Sequence, residues 1–143
     1  MTMADPTALC CGEILWDFLP DGLYAGGAPF NVGYHLHRHG VATRVVSAVG
    51  CDVLGDELLR RLKLWGLDVH LIARHEHLRT GFVRATVGPH GDASYEIVSN
   101  VAWDCIPATP AALAAAAEAD AFIYGSLAQR SAANRSAPGF QTE

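Results

Sequence analysis

The residues that invite a chemical reading stand close together near the start of the chain. Asp17 closes an apolar run, and Gly26-Gly27-Ala28-Pro29-Phe30-Asn31 follows after one short connection. A carboxylate at Asp17 can accept hydrogen bonds from two vicinal hydroxyls, and each charge-assisted bond contributes ~1.5–3 kcal/mol. The two glycines can take backbone angles closed to other residues and put no side chain between main chain and ligand. Pro29 suits the first turn of a helix, where its missing N–H is not needed. Asn31 then lies in that turn, beside unpaired N–H groups and the positive end of the helix dipole. Its amide both donates and accepts. Such a set suits recognition of a polyol. The plainer alternative is an aspartate capping a turn, then a tight glycine turn. For Asp17, taken alone, both readings stay open.

The rest of the pattern says what must position these groups. Residues 8–19 are almost continuously apolar and read as one buried strand. Pro20-Asp21-Gly22 is a turn. A helix over 28–39 stops at Gly40, and residues 43–49 form a second strand. Gly50-Cys51-Asp52 leads into a helix over 53–65, with Asp52 as its N-cap. Leu54, Leu58, Leu62 and Trp65 give that helix an apolar stripe, and Asp56/Arg60 and Glu57/Arg61 are spaced for ion pairs. Residues 69–72 form a short strand. Residues 80–87 and 93–98 partly alternate and read as a half-exposed antiparallel hairpin joined by 88–92. Thr109-Pro110 opens an alanine-rich helix, and residues 121–124 form a buried strand ending at Gly125-Ser126. From residue 131 no apolar period persists, so 131–143 reads as an irregular tail. The order predicts an α/β layered domain with a small β insertion. Ligands of such sheets bind beyond the carboxyl ends of the strands, where Asp17, Gly26-Gly27, Gly50 and Gly125-Ser126 are expected.

Composition narrows the function classes. The 143 residues suit one ordinary domain; half are hydrophobic and 17% charged, so a core can form. A net charge of −5 without a basic cluster argues against nucleic acid or an anionic membrane as partner. Residues 1–6 lack a basic secretory region, and the alanine run at 111–117 is too short to span a bilayer, so a cytoplasmic protein is expected. Cys10, Cys11, Cys51 and Cys105 show no CxxC spacing and read as reduced, mostly buried thiols. His35, His37 and His39 do not suggest a metal site: only His35 and His39 share a helix face, and no acidic or thiol ligand is near in sequence. His75 and His77 read the same way, so no metal ligand is expected. There is no GxxxxGK[ST] loop, no GxGxxG after a strand and no GxSxG elbow.

Gly12-Glu13-Ile14-Leu15-Trp16-Asp17, Gly26-Gly27-Ala28-Pro29-Phe30-Asn31-Val32 and Val49-Gly50-Cys51-Asp52-Val53-Leu54-Gly55 together resemble the PfkB (ribokinase-like) family of carbohydrate kinases. The likeness continues through Leu67-Asp68-Val69, Thr80-Gly81 and Ala102-Trp103-Asp104 to Gly125-Ser126-Leu127-Ala128. The opening and the Ala-Trp-Asp resemble the fructokinase-like branch. The resemblance implies a ribokinase-like, Rossmann-type layered sheet with a small β lid made from about 20–25 and 80–98. It also implies ATP-dependent, Mg²⁺-assisted phosphorylation of a sugar hydroxyl, fructose being the leading sugar. Asp17, Gly26, Gly27 and Asn31 would bind that sugar, and Phe82 and Tyr95 would be lid aromatics, packed on the sugar or within the lid.

Family members are much longer. Their second half carries a Gly-Ala-Gly-Asp motif whose Asp is the general base and whose N–H groups form an anion hole. No such motif occurs in these 143 residues. The expectation is therefore the N-terminal part of the domain over 1–130, with the fold truncated after about half. It would hold the sugar-binding residues, none of the catalytic ones, and little of the nucleotide site. The alternative is an inactive sugar-binding or kinase-docking fragment. A dinucleotide-binding domain is disfavoured by the missing glycine fingerprint. Cutting a parallel sheet exposes an edge, so a homodimer through the lid or that edge is a further expectation.

Overall fold

The computed structural model describes residues 5–137. Thr7–Cys11 (β1) is short, apolar and almost wholly buried. Gly12 follows with φ +146°, an angle that side-chain-bearing residues rarely adopt. The chain there leaves one sheet for another: Leu15–Leu19 (β2) pairs with Gly22–Gly26 (β3), not with β1's neighbours. The single strand expected over 8–19 is thus two strands. Residues 11–16 are buried throughout, so hydropathy carries no mark of the break.

Ala28–Arg38 (α1), Ala42–Gly50 (β4), Val53–Leu64 (α2) and Ile72–His75 (β5) complete the first half. Gly81–Val87 (β6), Ala93–Ile97 (β7), Pro110–Glu118 (α3), Ala121–Tyr124 (β8) and Ala132–Ser136 (α4) follow. The first sheet has the order β5-β4-β1-β8, and all its pairings are parallel. One face packs on α1 and α2, through Val45, Val49, Phe30, Leu58 and Leu62. The other packs on α3 and the 101–106 segment, through Leu9, Val46, Ala112, Ala115 and Trp103. Leu58 and Leu62 are fully buried, which contributes ~1.5–3 kcal/mol each. The second sheet, β3-β2-β6-β7, is mixed: β2 runs parallel to β6, and the outer pairs are antiparallel. Trp16 of β2 docks it on α2, donating from Nε1 to the Leu54 carbonyl at 2.9 Å beneath the Arg61 guanidinium.

The 80–98 hairpin is present, but it joins β2 and β3 in a four-stranded sheet. The strand expected over 69–72 starts at Ile72, while Asp68 makes an isolated bridge to Arg44. Arg60 and Arg61 both bond Glu57, and Asp56 reaches instead to Arg74 at 2.6 Å. β8 is an edge strand, not a buried one; Phe122 and Tyr124 stack in the open, 40% and 50% exposed. Cys51 and Cys105 are exposed as well, and only Cys10 and Cys11 are buried. Burial pushes the Cys10 thiol up to about 11 and Cys11 higher still, so both stay protonated. No described helix is long and apolar enough to cross a membrane.

The largest correction concerns the expected tail. Residues 131–136 are ordered: Ser131 caps α4, accepting from the N–H groups of Ala133 and Asn134. Asn134 is fully buried. Its Nδ2 donates to the carbonyls of Trp103 and Ala128, and its Oδ1 accepts from Ile106 N–H, all at 2.8 Å. A helix of five residues shows no apolar period, and one buried amide does what a hydrophobic stripe does elsewhere. The rest of the expected tail, 138–143, lies outside the described residues. Asn134→Ala leaves three buried backbone groups unpaired. It is expected to cost about 2–4 kcal/mol in urea unfolding; a loss within error of zero would contradict this placement.

Candidate functional site

Asp17 lies mid-strand in β2, opposite Tyr24 of β3 and beside Val83 of β6. It is thus in the second sheet, not at the carboxyl end of the first as the strand pattern suggested. The β pleat puts it on the same face as Leu15. Its carboxylate packs on the α-carbon of Gly26, where a Cβ would collide with Oδ2. Among the described residues nothing donates to this carboxylate. Its half-buried position raises its pKa above the ordinary aspartate value, through desolvation. Asp17 is therefore a partly dehydrated acceptor with its hydrogen-bonding capacity unused.

Gly27 caps α1 with φ +112°, a conformation few other residues reach without strain. A Cβ there would also strike the carbonyl of Glu13. The Gly27 carbonyl accepts from Asn31 N–H at 2.8 Å, which fixes the first turn of α1. The structure thus seats the Asp17 carboxylate on Gly26, places Gly27 against the Glu13 backbone and ties Asn31 to Gly27 through the backbone. The Asn31 side chain is exposed; with Ala25, Phe30, Tyr34, His35 and Trp65 it lines a shallow groove of about 270 Å³. Asp17 is not among the residues lining that groove.

Glu13 was missed as an individual residue in the sequence. It is only 3% exposed, and its Oε1 accepts from Ala28 N–H at 3.2 Å. The signal was an acidic residue inside an otherwise apolar run. Asp52 behaves as expected, accepting from Gly55 N–H at 2.8 Å, and it does more. It also accepts from Thr80 N–H at 2.8 Å and the Thr80 hydroxyl at 2.7 Å, pinning the start of β6 to α2. Burial opposes its charge, but the bonds from Thr80 and Gly55 prevail and lower its pKa. Phe82 packs edge-on against Phe18 at 5.2 Å, within the sheet, while Tyr95 is 67% exposed.

These residues fit a nucleotide triphosphate poorly. A helix N-terminus is the ready place for phosphate. Yet Glu13 occupies that of α1, Asp52 that of α2, and Thr109 with Pro110 that of α3. Among the described residues no three His, Cys, Asp or Glu side chains cluster to hold a metal ion. No step through ATP or Mg²⁺ is therefore derived from these side chains.

Comparison with known proteins agrees with this architecture. The model of the pfkB family carbohydrate kinases matches residues 21–136. A fructokinase from Rhizobium leguminosarum bv. trifolii is 39% identical over 69 residues, covering 42% of this chain and 21% of the relative. The structure of an uncharacterized sugar kinase from Pyrococcus horikoshii in complex with ATP superposes with a TM-score of 0.75 at 27% identity, over 88% of this chain and 45% of that one. A fructokinase from Xylella fastidiosa gives 0.71 at 26% identity, over 82% and 40%. The chain thus spans less than half the length of these solved proteins. The mixed α/β fold is that of the ribokinase-like sugar kinases.

The Asp17 environment gives a signed expectation. A carboxyl whose folded pKa is raised favours the folded state while protonated, and that contribution is lost as pH rises through the raised value. Asp17→Asn should therefore melt higher than the wild type at pH 7. The difference should shrink as pH falls to the ordinary aspartate range, where Asp17 is itself neutral. Thermal melts across pH check this; a variant less stable at pH 7 would contradict it.

Proposed function

The chain belongs to the pfkB family of carbohydrate kinases, and from that premise we propose that it is the sugar-recognition part of a fructokinase-like enzyme. The reaction of that enzyme is transfer of the γ-phosphoryl group of ATP to a sugar hydroxyl. Asp17 accepts from two sugar hydroxyls, Gly26 and Gly27 give bare backbone access, and Asn31 offers its amide at the opening turn of α1. The second sheet serves as the lid. The single observation carrying this reading is the half-buried Asp17 carboxylate, unpartnered and seated on a residue without a side chain. A buried acceptor left unpaired is costly, and sugar hydroxyls are well suited to relieve it.

ATP enters through the family and through the neighbour solved with it. Mg²⁺ follows from the triphosphate. We assign neither to residues of this chain, because the helix N-termini are already taken and no Gly-Ala-Gly-Asp motif is present. Phosphoryl transfer depends mostly on positioning and electrostatics, so this polypeptide alone is proposed to bind sugar without turning it over. Val87, Tyr95 and Ile97, exposed on the second sheet, favour that sheet as the route to a homodimer.

Titration calorimetry with fructose tests the proposal. The wild type is expected to bind, and Asp17→Ala to weaken binding at least ~10-fold, the equivalent of one charge-assisted hydrogen bond. Equal binding by the variant, or no heat with any hexose, overturns it. Fructose-dependent ADP release should stay at background; turnover by the purified chain would overturn the division of labour.

A further inference from the structure

Three stretches of chain meet at the carboxyl end of β1. Gly12-Glu13 leaves the first sheet, Gly27-Ala28-Pro29 returns to it as α1, and Gly125 follows β8. The packing leaves no room for side chains. A Cβ on Gly12 would lie 2.7 Å from the Pro29 ring, and one on Gly125 would lie 2.7 Å from Pro29 and 2.8 Å from Glu13 Oε2. Glu13 sits in the middle of this junction, 3% exposed. α1 has no side-chain cap of its own and no acidic residue in its first turn. Glu13 takes that place from the connection between β1 and β2: its Oε1 accepts from Ala28 N–H, at the positive end of the α1 dipole. Its Oε2 is buried and has no partner among the described residues.

We propose that Glu13 is a positioning residue for the sugar site, capping α1 in trans and thereby setting Gly27 and Asn31. This rests on the sugar-binding reading above. Glu13 touches no sugar in this arrangement. It acts through two contacts at the diglycine: its carbonyl lies against Gly27, and its carboxylate holds Ala28. Asn31 is bonded to Gly27, so movement of that junction moves the amide. The burial of an acidic group with one oxygen unpaired is unfavourable for folding. An apolar residue in its place would leave Ala28 N–H without its partner, so the carboxylate acts on the opening turn of α1 through that bond.

The test uses the whole chain with Glu13→Ala and Glu13→Gln, Gln keeping an acceptor for Ala28. Two readouts are taken: amide hydrogen exchange at Ala28 and Asn31 without sugar, and fructose affinity at a temperature where each variant is folded. Glu13→Ala should speed exchange at Ala28 and Asn31 by about tenfold relative to Val46 in β4, and weaken fructose binding by a similar factor. Glu13→Gln should restore both to within roughly threefold of wild type. A merely structural role would lower the melting temperature and leave the affinity of folded molecules unchanged, which overturns the proposal. So does exchange at Ala28 that changes no more than at Val46, or failure of Gln to rescue. If the wild type binds no hexose yet the exchange pattern holds, the sugar reading falls and the capping of α1 stands. Should Glu13→Ala not fold, Glu13→Asp, one methylene short of Ala28, carries the same comparison.

Discussion

The molecule depends on a backbone-to-backbone contact between Gly27 and the carbonyl of Glu13. The chain passes between the two sheets twice at this point. On the way out, Gly12 turns the chain from β1 into β2. On the way back, Gly26-Gly27 delivers it from β3 into α1. Neither passage tolerates a side chain: the space at Gly26 belongs to the Asp17 carboxylate, that at Gly27 to the Glu13 backbone. Close backbone approach and the burial of Ile14 and Trp16 against α1 and α2 together set where the second sheet sits at this end. The exclusion of side chains leaves bare main chain beside an acceptor, which a ligand-binding junction needs.

A second seam holds the other end of the second sheet. Asp52 caps α2 and, with the same carboxylate, takes both donors of Thr80, while the Thr80 hydroxyl accepts from Gly50 N–H at 3.0 Å. Beyond it, Gly81 lets β6 pass directly over the indole of Trp103. The same indole carries the Arg130 guanidinium at 4.1 Å, which bonds Asp104 at 2.8 and 2.9 Å and the Val98 carbonyl at 2.7 Å. The Arg130–Asp104 pair is only partly exposed and several-fold bonded, so it is worth more than an isolated surface ion pair. Asn134 then ties the segment carrying Trp103 to α4. The second seam is thus anchored by two carboxylates with more than one partner each, Asp52 and Asp104.

This construction explains how much could be read from the residues. Helix boundaries were legible because their chemistry is local: Pro29 and Gly40 bracket α1, and Asp52 opens α2. The β6–β7 hairpin was legible from its partial alternation and glycine-containing turn. The split at Gly12 was not, because a strand that changes sheets stays buried on both sides of the change. Asp56 was misassigned because spacing on one helix says nothing of Arg74 arriving from β5. The exposure of β8 was missed for a related reason: an apolar run shows the capacity to be covered, and only topology shows whether cover is present. Of the candidate site, Asp17 and the glycines stand out in the sequence through their types. Glu13 and Thr80 were not, because their importance lies in partners 15 and 28 positions away.

The polar atoms left unsatisfied fall in a pattern that ties these points together. Among the described buried side chains, only Glu13 Oε2 and Trp103 Nε1 lack a hydrogen-bond partner. One sits at the first seam and the other at the second. Elsewhere the chain satisfies buried polar groups with care, as Asn134, Ser47 and Thr80 show. An orphaned polar atom costs about 1–3 kcal/mol. Both atoms lie where the second sheet meets the first. Shifting the second sheet, even by a fraction of a residue's length, changes the surroundings of both atoms and of Asp17 at once. The sheet is therefore held in place by strong anchors, yet its hydrogen-bonding deficits are concentrated at its own attachment points.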